Sequence, residues 1–397
     1  MTQDEVQAQY EAYPYPERKP TDERKRLITG SPSLPVEMDH WLWGGKRDWS
    51  QPLRALIAGG GTGDALIQLA QTLTDAGRAY DITYIDMSVA ARRIAEKRAA
   101  VRKLDGVTFV TGSPLDAGTY GPFDYIDCCG VLHHLPDPQA GFDALASALA
   151  PDGGLGVMVY APHGRSGVYP LQAAFARLFD GLPPEQRLKR AKTVFRALPA
   201  THPFKRNTRV GDHEKGDAGF YDLLLHGRDR PFYITEVMQA LDAAGLAYAG
   251  TPQPMLYDPA PLIGSIPDKL TRTETMQLAE DLRGTFKTHV VYACPKGQVV
   301  APPFGQGNAV PHLRDVAPAQ LAAHVAKTGK ITIDTAGEAF VFDVPRAASE
   351  ALALVNGQRT LDEIAASVAG FTVFWPQVEV ALCGSGMMHY SRLIVTN

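Results

Sequence analysis

The sequence predicts an α/β fold: a doubly wound, mostly parallel sheet covered by helices on both faces, followed by a smaller α+β domain. Three observations predict it. Between residues 53 and 160 short apolar runs alternate with helical stretches such as 90–102 and 139–149, and that alternation requires parallel strands joined by crossover helices. The first run, 53–58, ends in closely spaced glycines (Gly59, Gly60, Gly61, Gly63) and resumes with helical apolar spacing at 65–70, which describes a buried strand, a tight turn and a helix. With 397 residues, 45% of them apolar, the chain exceeds the usual single-domain size and can fill a substantial core, so two domains are expected.

An arm spans residues 1–50. A polar, helix-like start runs into Tyr10-Glu-Ala-Tyr13-Pro-Tyr15-Pro16, where proline fixes φ and carries the tyrosines on a stiff, extended segment. Such an arm either folds over a cleft as a lid or packs on the sheet edge. Trp41 and Trp43, just before the first strand, are expected to be core for the arm rather than a substrate cage.

The glycine turn suits a ligand resting on the carboxyl end of a strand, because backbone without Cβ lets it approach closely. A dinucleotide fingerprint wants glycine where Asp64 stands, so a nicotinamide or flavin pyrophosphate is disfavoured. The second strand, 82–85, finishes on Asp86, which can accept hydrogen bonds from both ribose hydroxyls of an adenosine. A third strand, 107–110, leads to Ser113, and a fourth, 125–129, leads to Gly130-Val131-Leu132-His133-His134. Four strand ends thus point at one crevice.

A fifth strand covers 154–160, and the chain then leaves the regular pattern over about 161–231, too long for an ordinary connection. A helix at 235–244, with Thr235 as its cap, a strand at 246–250 and a final strand at 289–294 complete the domain 51–296. Residues 297–316 are rich in proline and glycine and read as a linker. The second domain, 317–397, carries a helix at 318–327, strands at 330–334 and 339–342, a helix at 347–355, and a helix at 360–368 opened by the capping box of Thr360 and Glu363.

Composition excludes several classes. The formal charge of −4 with both signs mixed offers no basic field for a nucleic-acid backbone, so no nucleic-acid partner is expected. The four cysteines show no paired metal spacing and read as reduced core residues, so no metal is expected. No apolar stretch reaches the length of a membrane span and the first residues lack signal-peptide regions, so no membrane association and a cytoplasmic location are expected.

The stretches Ile57-Ala-Gly-Gly-Gly-Thr-Gly63, Tyr84-Ile-Asp86, Phe123-Asp-Tyr-Ile-Asp127, Val131-Leu-His-His134 and Leu149-Ala-Pro-Asp-Gly-Gly154 follow one another as in the class I S-adenosylmethionine-dependent methyltransferases, which this chain resembles. The resemblance implies a Rossmann-like, seven-stranded sheet whose last strand is antiparallel, S-adenosyl-L-methionine as cofactor and S-adenosyl-L-homocysteine as product. It places the methionine part on Gly59, Gly61 and Gly63, the ribose on Asp86 beside Met87, the adenine near Ser113 and Leu115, and Gly130 and the arm's Tyr13 and Tyr15 around them. Two positions depart from the common pattern: Ile57 and Ser113 stand where many relatives carry acids.

Inserted segments such as 161–231 usually form the acceptor pocket in this family, which makes Tyr160, His163, Arg165, Tyr169, His226 and Arg228 candidate substrate-binding residues. The sulfonium is already activated, so positioning and desolvation supply most of the acceleration, and a base is needed only when the acceptor keeps its proton near neutral pH. His134 and His133 sit at the crevice and are the candidate catalytic residues. The expected activity is methyl transfer to a nucleophilic N, O or S atom of a small metabolite or a peptide or protein side chain. The alternatives are a cofactor-binding regulatory module without turnover, or specifically a protein lysine methyltransferase. The last domain is similar to small winged-helix domains related to the peptide chaperone of pyrroloquinoline-quinone synthesis, which implies peptide binding; a homodimer formed through this domain is the alternative expectation.

Overall fold

The structure is a computed structural model that describes residues 3–298 and 300–394, with side chains from Val6 onward. Seven strands form one sheet: β1 (Leu53–Ala58), β2 (Tyr80–Asp86), β3 (Val107–Thr111), β4 (Phe123–Cys129), β5 (Leu149–Tyr160), β6 (Leu246–Gly250) and β7 (Thr288–Pro295). Their spatial order is β3-β2-β1-β4-β5-β7-β6. Strands β1 to β5 are parallel, and β7 runs antiparallel to both β5 and β6. The order reverses between β1 and β4, which opens a crevice at their carboxyl ends.

Alternate residues of each strand enter two separate cores. Ala55 and Ile57 of β1, Tyr84 of β2 and Tyr125 of β4 face the helices Pro35–Leu42, Asp64–Asp75 and Val89–Arg102. Leu56 and Ala58, Ile85, Ile126 and Cys128 face Pro138–Ser147, Ile234–Ala243 and Arg272–Arg283 on the other side. Burial on both faces is why these strands read as near-continuous apolar runs, and each fully buried aliphatic side chain contributes about 1.5–3 kcal/mol. Trp41 and Trp49 join the first core, and Trp41 lies so close over β6 that a Cβ on Gly250 would meet its ring at 2.1 Å.

The helices start where polar caps stand. Ser88 accepts the Ala91 N–H, and Asp137 accepts those of Gln139 and Ala140. The helix expected from Thr235 starts at Ile234, because the Glu236 carboxylate accepts the Tyr233 N–H and so fixes the preceding residue as the cap.

The excursion after β5 folds into the helices Val168–Leu178, Pro184–Ala197, Pro203–Arg206 and Asp217–Leu225 around their own small core of Phe175, Leu188, Phe204 and Leu224. The C-terminal unit pairs β8 (Pro311–Leu313) with β11 (Met388–Tyr390). Between them lie the helix Pro318–Thr328, the hairpin β9 (Lys330–Thr335) and β10 (Glu338–Asp343), and the helices Ala348–Leu354, Leu361–Ala365 and Phe371–Gly384. It has a core of its own, which includes Trp375. Because β8 falls within 297–316, the unit begins earlier than the proline and glycine content suggests.

A buried polar seam joins the two parts. Glu37 pairs with Arg314 at 2.7 Å and accepts the Tyr292 hydroxyl, Asp39 accepts the Ser391 hydroxyl at 2.6 Å, and His40 Nδ1 accepts the Tyr390 N–H at 3.0 Å. Among the described residues no helix is long and apolar enough to cross a membrane.

Candidate functional site

The carboxyl ends of β1, β2 and β4 and the N-terminal arm enclose a cleft of about 470 Å³, within the size range of small-ligand sites. At one end Gly59 and Gly61 adopt φ of +73° and +53°, so the turn after β1 needs glycine there. A Cβ on Gly61 would lie 2.8 Å from the Tyr15 carbonyl oxygen, which shows how closely the arm covers the turn. Gly60 lines the cleft as well. Gly63 does not: it starts the Asp64–Asp75 helix and packs against the Val89–Arg102 helix, where a Cβ would lie 2.9 Å from that of Ala95. Glycine is needed there for that close packing and for its φ of +101°.

Asp86 ends β2 in the cleft wall. One carboxylate oxygen accepts the Gly61 N–H at 2.7 Å and the other the Ser88 N–H at 2.8 Å, which leaves each oxygen a lone pair for a ligand hydroxyl. Burial raises its pKa against the opposing effect of these two bonds. Met87, Ser113, Leu115 and Gly130 continue the wall. The Ser113 hydroxyl caps the next turn by accepting the Leu115 N–H at 3.2 Å, which leaves its own O–H free to donate.

The arm roofs the cleft. Its helix, Gln3–Ala12, crosses the end of β2. There Glu11 accepts the N–H groups of Val89 and Ala90 at the next helix's N-terminus, and Gln7 donates to the Met87 carbonyl at 3.1 Å. Beyond it, Thr62 donates to the Pro16 carbonyl at 2.7 Å and Arg18 pairs with Asp64 at 2.6 Å. Tyr10 and Tyr15 line the cleft. Tyr13 does not: its N–H still bonds back to the Gln9 carbonyl, so its ring follows the helix outward and stacks on Tyr221 at 5.0 Å.

The other end of the cleft is a buried polar chamber. His134, Tyr160, Arg165, Asp222 and Arg228 line it. His134 Nδ1 lies 2.7 Å from the Arg228 carbonyl, which can only accept, so Nδ1 carries the proton and Nε2 is left as a proton acceptor. Burial lowers its pKa, partly offset by the nearby Asp229 carboxylate, so the ring is neutral near pH 7. His226 stacks on it at 3.9 Å. The Arg228 N–H donates to His226 Nδ1, so His226 Nε2 carries the proton and donates to the Tyr10 hydroxyl at 3.2 Å, which in turn donates to Asp222 at 3.1 Å. Burial, reinforced by Asp229 and opposed by Arg165, pushes the Asp222 carboxyl up to about 7.

Of the remaining sequence candidates, Tyr169 accepts from Arg165 Nε at 3.0 Å and so orients it, while Asp229 takes its other arm at 2.9 Å. The guanidinium lies 3.6 Å from the centre of the Tyr160 ring. His163 sits outside the chamber, part-exposed and 3.3 Å from Asp281. His133 is fully buried against Tyr160 and His134, and it does not line the cleft. Of the two histidines of the Leu132–His134 turn, His134 lines the cleft and His133 does not.

Tyr10, Asp222 and Gly60 line the cleft too, without being among the sequence candidates for the site. Asp222 stands four residues before His226, a helical spacing that would have paired them. Two sets, His133 with His134 and Asp229, and His134 with Asp222 and His226, are spaced as metal ligands could be. The Tyr10 hydroxyl already bridges the second set, and the Arg165 charge lies on the first.

Residues 56–155 match the family of methyltransferase domains. An uncharacterised protein of Synechococcus sp. is 30% identical over 276 residues, 66% of this chain and 62% of that protein, so the chain spans less than two-thirds of that relative's length. The tRNA 5-carboxymethoxyuridine methyltransferase of Escherichia coli is 31% identical over 117 residues, 29% of this chain and 42% of that enzyme. The structure of PKMT2 from Rickettsia typhi in complex with AdoHcy has the same fold, with a TM-score of 0.59 at 16% identity over 92% of this chain and 77% of that one. That coverage continues beyond the seven-stranded sheet into the C-terminal unit.

Proposed function

We propose, from the match of residues 56–155 to methyltransferase domains and from the cleft beside them, that the whole chain transfers the methyl group of S-adenosylmethionine to a nucleophilic atom of a small metabolite or a peptide side chain. The observation that carries this reading is the continuity of one roofed cleft, with Asp86 and the glycine turn at one end and His134 and Asp222 at the other. The two free lone pairs of Asp86 suit a ribose, and the cofactor's sulfonium supplies an activated methyl group. The chain's own part is to hold the acceptor in line, to exclude water beneath the arm, and to take a proton on His134 Nε2 or on Asp222 when the acceptor carries one.

The formal charge of −4 favours a metabolite or peptide over tRNA. In the winged-helix reading of the C-terminal unit, the β9–β10 hairpin is the wing and serves acceptor binding. Calorimetric titration with S-adenosylmethionine and S-adenosylhomocysteine tests the cofactor. Saturable binding of both is expected, and binding of neither would end this reading.

A further inference from the structure

A second cleft, of about 530 Å³, lies between the two parts of the chain. Its walls come from Arg209 of the insertion, from the start of β7, from the segment after β6, and from the turn at Thr335 of the C-terminal hairpin. It abuts the first cleft, since Lys287 and Thr288 line both, and Thr288 pairs in the sheet with Tyr160, which lines the acceptor chamber. The hairpin is tied down at this place: Gln253 donates to the Thr335 hydroxyl at 2.9 Å, and Arg283 forms an ion pair with Glu338.

The lining has one sign of charge. Arg209 and Lys287 are its charged members, neither has an ion-pair partner among the described residues, and no carboxylate joins them. Thr208, Thr251, Thr285, Thr288 and Thr335 line it beside apolar residues; the Thr251 hydroxyl donates to the Val290 carbonyl, whereas the Thr285 hydroxyl is buried without a hydrogen-bond partner. Two unneutralised cations with hydroxyl donors in a recess shared by both domains complement an anion.

We infer that this interdomain cleft is the outer part of the acceptor site and holds an anionic group, a carboxylate or a phosphate, of the molecule whose nucleophile reaches the chamber at Tyr160. The inference rests on the methyl-transfer reading of the first cleft and adds the acceptor's chemical class. It also gives the C-terminal unit a task, because the Thr335 turn closes the recess.

Calorimetric titration of inorganic phosphate into the full chain saturated with S-adenosylhomocysteine tests the site without turnover. One saturable site is expected, weakened by about tenfold or more in Arg209→Glu through loss of a charge-assisted hydrogen bond, with cofactor affinity unchanged. No saturable binding, or equal affinity in the variant, overturns the inference. Labelled-methyl transfer into cell extract then identifies the source of the anion: the product should be retained on an anion exchanger, and Arg209→Glu should raise the apparent KM with little change in kcat. Label confined to unretained products overturns the acceptor assignment. Phosphate bound with no transfer into any fraction fails the catalytic reading instead.

Discussion

Replacing Asp222 by Asn keeps the size of the side chain and the acceptor for the Tyr10 hydroxyl, while removing the titration. The folded-state pKa of Asp222 is pushed from its ordinary 3.8 up to about 7. Between those values the folded chain holds a proton that the unfolded chain releases. The stability this group contributes is therefore fully present below about 4 and is lost as pH rises through 7. A shift of about three units at 1.36 kcal/mol each sets an upper bound of about 4 kcal/mol lost at alkaline pH, and about 2–4 kcal/mol is the working range. Asp222→Asn should be more stable than the native chain by that amount at pH 8, with the gap shrinking by more than half by pH 5. Urea unfolding of both chains across that range reads the difference directly, because every other titrating group is common to the two. Equal pH dependences in the two chains would refute the reasoning, since they would mean that the carboxylate is not held in a desolvated chamber. If Asp222 is the base, the same variant should lose about 10²–10⁴ in turnover, so stability would be gained where function is lost.

Three further outcomes follow from the geometry. Asp86→Ala should fold normally and bind cofactor more weakly by about 1.5–3 kcal/mol per lost charge-assisted bond; an unchanged dissociation constant would remove Asp86 from the site. His134→Ala should leave cofactor binding intact and lower turnover by about 10²–10⁴-fold if the ring takes the proton, whereas His133→Ala should register mainly in the melting temperature, because its ring is packed behind the cleft. Truncation after Lys296 removes Arg314 and Ser391 from the buried carboxylates Glu37 and Asp39. Glu37 keeps the Tyr292 hydroxyl and Asp39 keeps Trp49 Nε1 and the Arg47 N–H, but each lost hydrogen bond to a charged group costs about 1.5–3 kcal/mol, so the shortened chain should be clearly less stable in urea, and a truncated chain as stable as the whole would show the seam to be energetically idle.

The sheet was legible because each strand is an apolar run closed by glycine or a turn, and because the positions that end β1, β2 and β4 carry the residue types a nucleoside site needs. What stayed hidden was contact across distance. Nothing local in the sequence tells that Tyr10 of the arm meets Asp222 and His226 of the insertion, although each lies in a stretch that was singled out. Tyr13 was expected beside the cofactor and instead packs on Tyr221 of the insertion, because its N–H still bonds back to the Gln9 carbonyl at the end of the arm's helix. Gly63 fits the fingerprint but answers to Ala95 of a neighbouring helix. In the C-terminal unit the Thr360 and Glu363 capping box starts a helix as expected, yet that helix stops at Ala365, and the long helix Phe371–Gly384 was missed. Its exposed face carries the apolar Val373 and Val380 and it holds Pro376, so the sequence shows neither amphipathic period nor uninterrupted helical composition.

If Asp86 and the Asp222–His134 chamber are two ends of one reacting cleft, methyl transfer depends on both. Transfer of labelled methyl groups from S-adenosylmethionine into size-fractionated cell extract tests it most directly, with the native chain, Asp86→Ala and Asp222→Asn run side by side. Label is expected in a discrete fraction with the native chain, restored toward the native level for Asp86→Ala by raising the cofactor concentration, and not restored for Asp222→Asn. Cofactor bound by the native chain with no label entering any fraction would contradict it.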